Sequence, residues 1–360
     1  MVGTVLIVIM RKRICIVDCG SGSSRASVYS VHEDGFVHED RYISSGIIPT
    51  LAQSLSKGEH LEWVSKLKEV LVEDSATITG VIIGATGGLR KALREGIVSA
   101  PQLSRFRQVL KANVPDALLV QLSGEEEAKF ELMAVRYLAQ YALPGNVPRL
   151  TGGRKGIGRV GVLSSGGSSS QVCYTDGDSG EDRYMSLDTN LIGAIAKARE
   201  NGGNLRFYEN YMWKLILDNA PRKKINGTFL VIELAGSIGK EAGLADRLVP
   251  KREAVQLITQ HFQTLSLVRG KDNKVRLAEE TSGGGKAGRT PSSISWFSEA
   301  RQPVTILVNN LLQMFSGSCL FYFSTSFEIG SKHNVLRVQW PLGMFLASLQ
   351  GEGQQALCKL

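Results

Sequence analysis

From Arg13 onward the chain reads RICIVDCGSGSSRASVYSV, two β-branched apolar runs parted by Gly and Ser. That is the pattern of a strand, a tight loop and a returning strand. The same alternation recurs at Arg159 in RVGVLSSGGSSSQVCY, and the two segments resemble each other more than either resembles the rest of the chain. An internal duplication is the economical reading. Between them, Leu61–Val72 carries a helical spacing of apolar residues, and VIIGATGGLRKA runs from a buried strand through a glycine turn into a helix. LLVQLSGEEEAKF then leads a strand through a loop into a helix whose Phe130, Met133, Ala134, Tyr137, Leu138 and Tyr141 share one face, with Pro144-Gly145 as its stop. Near the end, VTILVNNLLQMF predicts a buried helix and VLRVQWPLGMFLASL a strand passing into a closing helix. Strands and helices alternate, so the class is α/β.

Composition narrows the function classes. At 360 residues the chain is long enough for two domains, and 43% hydrophobic with 21% charged residues is ordinary for a globular protein. The net charge of +8 is spread along the chain instead of forming a basic arm interleaved with aromatics, so a small polyphosphate or nucleotide suits it and a nucleic acid is not expected. Five cysteines without a CxxC pair or metal-ligand spacing favour a reducing compartment. The apolar run Val2–Met10 is too short for a membrane helix, and no later stretch reaches the roughly twenty apolar residues a span requires. A soluble, cytoplasmic or otherwise intracellular protein is the expectation; oligomeric state stays open. Thr151–Gly158 and Thr281–Pro291, rich in Gly, Lys and Arg, lack the GxxxxGK[ST] spacing and read as surface loops.

Candidate chemistry concentrates in the two hairpin loops. In Asp18-Cys19-Gly20-Ser21-Gly22-Ser23-Ser24-Arg25, glycines let consecutive N–H groups point into one concavity that receives phosphate oxygens. Asp18 ends the strand, where a carboxylate holds a hard cation through water. The second loop, Gly166-Gly167-Ser168-Ser169-Ser170-Gln171, would grip phosphate from the opposite side. Each is also readable as a plain turn. Glu125, Glu126 and Glu127 open a helix, where carboxylates favour the positive N-terminus, or one of them removes a proton from water attacking a phosphate. Gly84–Arg90 follows a strand and permits close backbone approach to a metal or phosphate. The aromatic run Phe321, Tyr322, Phe323 reads as core in preference to a base-stacking surface.

Taken in order, these motifs resemble the apyrase family, the nucleoside triphosphate diphosphohydrolases, and more distantly the exopolyphosphatases. The first loop is similar to that family's DAGSSGSR, GATGGLR to GATAGMR, LSGEEEA to SGEEEG, LSSGGSSSQ to DLGGASTQ, and VQWPLGMFL to WTLGAML. The resemblance implies two RNase H-like, actin-like domains with a nucleotide cleft between them, residues 1–128 plus 335–360 forming one and 129–334 the other. It implies hydrolysis of terminal phosphates from nucleoside tri- and diphosphates by direct attack of water, with Mg2+ or Ca2+. Carried over, Glu127 is the base; Asp18, Thr86, Gln171 and Ser164 stand where the metal's water shell is ordered, with Trp340 nearby. Phosphate would lie on Gly20, Ser21, Gly22, Ser23, Ser24 and Arg25, and on Gly166, Gly167, Ser168 and Ser169.

The sequence departs from the family in the two loops as well as in showing no evident anchor, secretion signal or paired cysteines; the first loop change is tolerable and the second matters more. One glycine of the first loop is displaced by a residue, and with it the position free to take positive φ. Ser164 stands where the family has an aspartate, a loss worth on the order of a hundredfold in rate. An exopolyphosphatase, or a nucleotide-binding protein with impaired turnover, is the alternative function.

Overall fold

The computed structural model describes residues 12–72, 77–141, 160–245, 247–269, 292–329 and 334–350. Val2–Met10, Pro144-Gly145 and both basic loops predicted above lie outside them. One five-stranded sheet comprises β1 (Arg13–Cys19), β2 (Ser24–Val31), β3 (Val37–Ile48), β4 (Gly80–Ala85) and β5 (Ala117–Gln121), in the order β3-β2-β1-β4-β5. A six-stranded sheet has the order β10-β11-β9-β6-β7-β8, built from β6 (Val160–Ser165), β7 (Ser170–Thr175), β8 (Asp182–Leu187), β9 (Thr228–Ile232), β10 (Leu248–Pro250) and β11 (Leu320–Phe323). A small antiparallel pair, β12 (Ser326–Glu328) and β13 (Val335–Arg337), leads to the closing helix. The helices are α1 (Leu51–Lys57), α2 (His60–Leu71), α3 (Gly87–Arg94), α4 (Ala100–Asn113), α5 (Gly124–Tyr141), α6 (Leu191–Glu200), α7 (Arg206–Asn219), α8 (Glu233–Glu241), α9 (Lys251–Arg269), α10 (Ser292–Leu311) and α11 (Trp340–Leu349).

Strand periodicity explains the layering. Successive side chains leave a strand on opposite faces. In β1, Ile14 and Ile16 join a central core with residues of α5 and α11, whereas Cys15 and Val17 enter an outer core with α1 to α4. In the second sheet, Leu230 and Ile232 of β9 face that central core, and Phe229 and Val231 face an outer one with α6 to α10. Strands covered on both faces read as near-continuous apolar runs, which is why β1, β4 and β6 stand out in the sequence. Phe321, Tyr322 and Phe323 are fully buried in β11, as core.

The two sheets thus flank a central pair of helices, α5 and α11. Their contact is close: a Cβ on Gly343 would stand 1.8 Å from the Phe130 carbonyl oxygen, so only glycine lets α11 approach. Each sheet contains an antiparallel hairpin, β1–β2 or β6–β7, and a parallel strand beside it, β4 or β9. The repeated hairpin inferred from sequence is therefore a repeated piece of sheet topology. Among the described residues, Cys15, Cys19, Cys173 and Cys319 are buried, and no helix is long and apolar enough to cross a membrane.

Candidate functional site

Both hairpin loops open on one cavity of about 570 Å3. Gly20, Ser21, Gly22, Ser23 and Arg25 line it from the first loop, and Gly166, Gly167, Ser168 and Ser169 from the second. Asp18, Thr86, Glu127 and Trp340 complete the set brought together from the sequence. A Cβ on Gly167 would lie 2.6 Å from Ser21 Oγ and 2.7 Å from Ile192 Cδ1, so the loops meet across the cleft and any larger residue there would have to displace both side chains. No glycine of either loop is among the positive-φ residues. The displaced glycine thus moves no left-handed position, because the turn has none.

Three expected residues sit elsewhere. Ser24 is the first residue of β2, and its buried hydroxyl donates to the Pro49 carbonyl at 2.7 Å. Gln171 is buried in β7, where its Nε2 donates to Ser169 Oγ at 3.0 Å, so it steadies the second loop from behind. Ser164, in the fully buried β6, donates to Glu131 Oε1 at 2.8 Å. None of the three lines the cavity. Paired β-strands direct alternate side chains away from the cleft, which a loop read as a string of donors does not convey.

The three adjacent glutamates separate into different tasks. Ser123 and Glu126 form a reciprocal cap: Glu126 N–H donates to Ser123 Oγ at 3.1 Å, and Ser123 N–H donates to Glu126 Oε2 at 2.7 Å. Glu125 is exposed. Glu127, one position deeper in the first turn of α5, is 8% exposed and faces the cavity. Arg90 of α3 donates to Glu127 Oε2 through both terminal nitrogens at 3.2 Å, and also to the Leu122 carbonyl at 2.6 Å. Burial pushes the Glu127 carboxyl up to about 8 against the pull of Arg90, with Glu233 and Asp18 adding to the rise.

Asp18 is held from two sides. Trp340 Nε1 donates to Oδ1 at 3.1 Å, and Arg25 Nη2 to Oδ2 at 2.5 Å. Thr86 lies opposite the end of β1, donating through its hydroxyl to the Cys19 carbonyl at 3.4 Å. Gly88 brings α3 against the first loop: a Cβ there would stand 2.6 Å from Ser21 Cα. Arg90, beside it, has an outer face in a second, smaller cavity of about 410 Å3 that also touches Ser168 and Ser169.

Sequence reading missed two carboxylates. Glu131 follows Glu127 by one helical turn, is 1% exposed, and leaves Oε2 without a hydrogen-bond partner. Its position four residues on was the available signal. Glu233 lines the cavity from the junction of β9 and α8, with φ of 56° in the left-handed region. The apolar run TFLVI before it marks a strand end, but nothing local says that this end abuts the second loop. Burial raises both carboxyls, most strongly Glu131, where Glu233 and Glu127 add repulsion; Arg25 opposes the rise at Glu233.

Among the described residues, no three His, Cys, Asp or Glu side chains converge closely enough to hold a metal directly. The cavity does offer the oxygen donors of Asp18, Glu233, Thr86 and the loop serines, with the orphaned Glu131 oxygen behind them. That donor set fits a hard cation that keeps its waters, and it does not fit a soft metal.

Comparison with known proteins places the fold. A member of the Ppx/GppA protein family from Aquifex aeolicus matches over 95% of this chain and 99% of its own, at 13% identity and a TM-score of 0.58. An exopolyphosphatase from Cytophaga hutchinsonii matches over 94% and 98%, at 13% identity and TM-score 0.52. Nucleoside triphosphate hydrolases from Neospora caninum match over 95% and 93%, at 10% identity and TM-score 0.52. The chain has the fold of these proteins: two RNase H-like, actin-like domains with a cleft between them. No protein-family model and no curated protein matches the sequence.

Proposed function

We propose that this chain hydrolyses phosphoanhydride bonds and that its substrate is the end of an inorganic phosphate chain. The observation that carries the reaction type is Glu127: a buried carboxylate, oriented by Arg90, in a cavity walled by two Gly/Ser loops. In this reading Glu127 takes a proton from a water molecule as its oxygen forms a bond to the terminal phosphorus. The bridging P–O bond breaks, the shortened chain leaves with the bridging oxygen, and no covalent enzyme intermediate forms. N–H groups and hydroxyls of Gly20 to Ser23 and of Gly167 to Ser169 bind the phosphate oxygens. The Gly166 N–H is already spent on the Ser169 carbonyl at 2.9 Å. Arg25 adds a charged donor once it turns from Asp18.

Mg2+ or Ca2+ would be held through water by Asp18 and Thr86, and bound there it would neutralise charge on the phosphates. Ser164 and Gln171 act from behind the second loop in this scheme.

The choice of an inorganic chain rests on the cavity wall and on the exopolyphosphatase among the similar structures. Among the described lining residues, the aromatic rings are Tyr42, covered by Arg337 at 3.6 Å, and Trp340, committed to Asp18. Trp340 is 1% exposed and Tyr42 already stacks with a guanidinium, which argues against a base-stacking wall. A second reading, hydrolysis of nucleoside tri- and diphosphates, is favoured by the ordered motifs ending in Gln171 and by the nucleoside triphosphate hydrolases of the same fold. Phosphate release from polyphosphate, ATP, ADP, GDP and UDP, with and without divalent metal, separates the two. Release from polyphosphate alone supports the first reading and release from nucleotides the second. Silence on every substrate, with thermal stabilisation by any of them, leaves a binding protein without turnover.

A further inference from the structure

Glu233 belongs to none of the motifs, yet it stands between the two loops. Strand β9 runs parallel to β6 with Ile232 beside Ser164, so the next residue, Glu233, comes level with Ser165. Its Oε2 lies 3.6 Å from where a Cβ on Gly166 would be, and its Oε1 lies 3.6 Å from Arg25 Nη2. The same Arg25 nitrogen is 2.5 Å from Asp18 Oδ2. One guanidinium therefore bridges a carboxylate beside the first loop and a carboxylate beside the second. Behind them Glu131, 1% exposed, keeps an oxygen without a partner.

Two carboxylates across a phosphate-binding cleft repel phosphate unless a cation lies between them. In this structure the cation is a side chain, and it is the side chain whose other use is to bind phosphate. We infer that Glu233 supplies, from the start of α8, the carboxylate that position 164 lacks. Asp18 and Glu233 together hold a hydrated divalent cation, and Arg25 fills that place until the cation arrives, then turns to the phosphate. The inference takes its choice of ligand from the phosphohydrolase reading, but its test needs no turnover.

Mn2+ alone is titrated into the full chain, without substrate, by calorimetry and by electron paramagnetic resonance, with circular dichroism as the check on folding. Wild type binds the ion, Glu233→Gln weakens binding about tenfold or more, and Arg25→Met tightens it several-fold. Glu209→Gln, at an exposed position of α7, leaves affinity unchanged. No binding by wild type, or wild-type affinity in Glu233→Gln, overturns the proposal. Should Glu233→Gln fail to fold, Arg25→Met decides, since unchanged or weaker affinity there is equally fatal. If these affinities behave as expected while no phosphate is released from any substrate, the cation site stands and the hydrolase reading falls.

Discussion

At the first hairpin, charge is carried by the strand itself: Asp18 is next to last in β1 and is held by Trp340 and Arg25. At the second, the matching strand end is neutral. Ser164 donates to Glu131, Ser170 to Ser165 at 3.0 Å and to Thr189 at 3.4 Å, and Gln171 to Ser169. The carboxylates on that side arrive from α5 and α8. Two hairpins of one backbone plan thus reach acidic surroundings by different routes: the first from its own strand, the second from helices that the sheet order places alongside.

The comparison is broken most severely at the residue that serves both halves. Glu127→Gln is expected to lower the rate of phosphate release by about 10²–10⁴-fold, with substrate still stabilising the protein against heat. If the rate survives, Glu127 is a helix-start carboxylate and no base.

The pH dependence comes next. Glu127 ordinarily titrates near 4.5 and is raised to about 8, so the folded protein prefers it neutral. Its stabilising contribution is complete below about 4.5 and is lost as pH rises through about 8, an effect on the order of a few kcal/mol. Thermal melts of the metal-free protein across that window should decline, and Glu127→Gln should decline less.

Smaller effects separate the two anchors. Trp340→Phe removes the donor to Asp18 and should cost about 2 kcal/mol in denaturant unfolding, with added divalent metal recovering part of the loss. Ser170→Ala breaks only neutral hydroxyl contacts at the second hairpin and should cost about 1 kcal/mol, without sensitivity to metal. Equal losses and equal metal responses would erase the distinction between a charged anchor and a neutral one.

How much of this was legible in the sequence varies with the range of the cause. The hairpins at Asp18–Arg25 and Ser164–Gln171 were readable because Gly and Ser interrupt β-branched runs, a signal confined to a few residues. The helices over Leu61–Val72 and from Gly124 were readable from apolar spacing. That same spacing hid Glu131, since a search for an apolar stripe passes over an acid set within it. Glu233 had no local signal, because its place beside Gly166 follows from β9 lying next to β6. Ser24, Ser164 and Gln171 looked like cleft donors in a linear motif, and only strand pairing turned them inward. The apyrase likeness rested on ordered motifs; the three similar structures carry the fold, and they include an exopolyphosphatase and nucleoside triphosphate hydrolases but no apyrase.

The docking of α11 also sets an order of events. Asp18 receives its hydrogen bond from Trp340, 322 residues away along the chain, and Lys12 reaches Ser348 from the same end. Contacts so distant form late, after loop closure over nearly the whole chain. During synthesis both loops can fold with their own sheets while the acid end of β1 remains unclamped. The cleft is finished only when residues 340–349 seat between the sheets, so a nascent chain carries two separate loop walls and no complete cavity until that step is done.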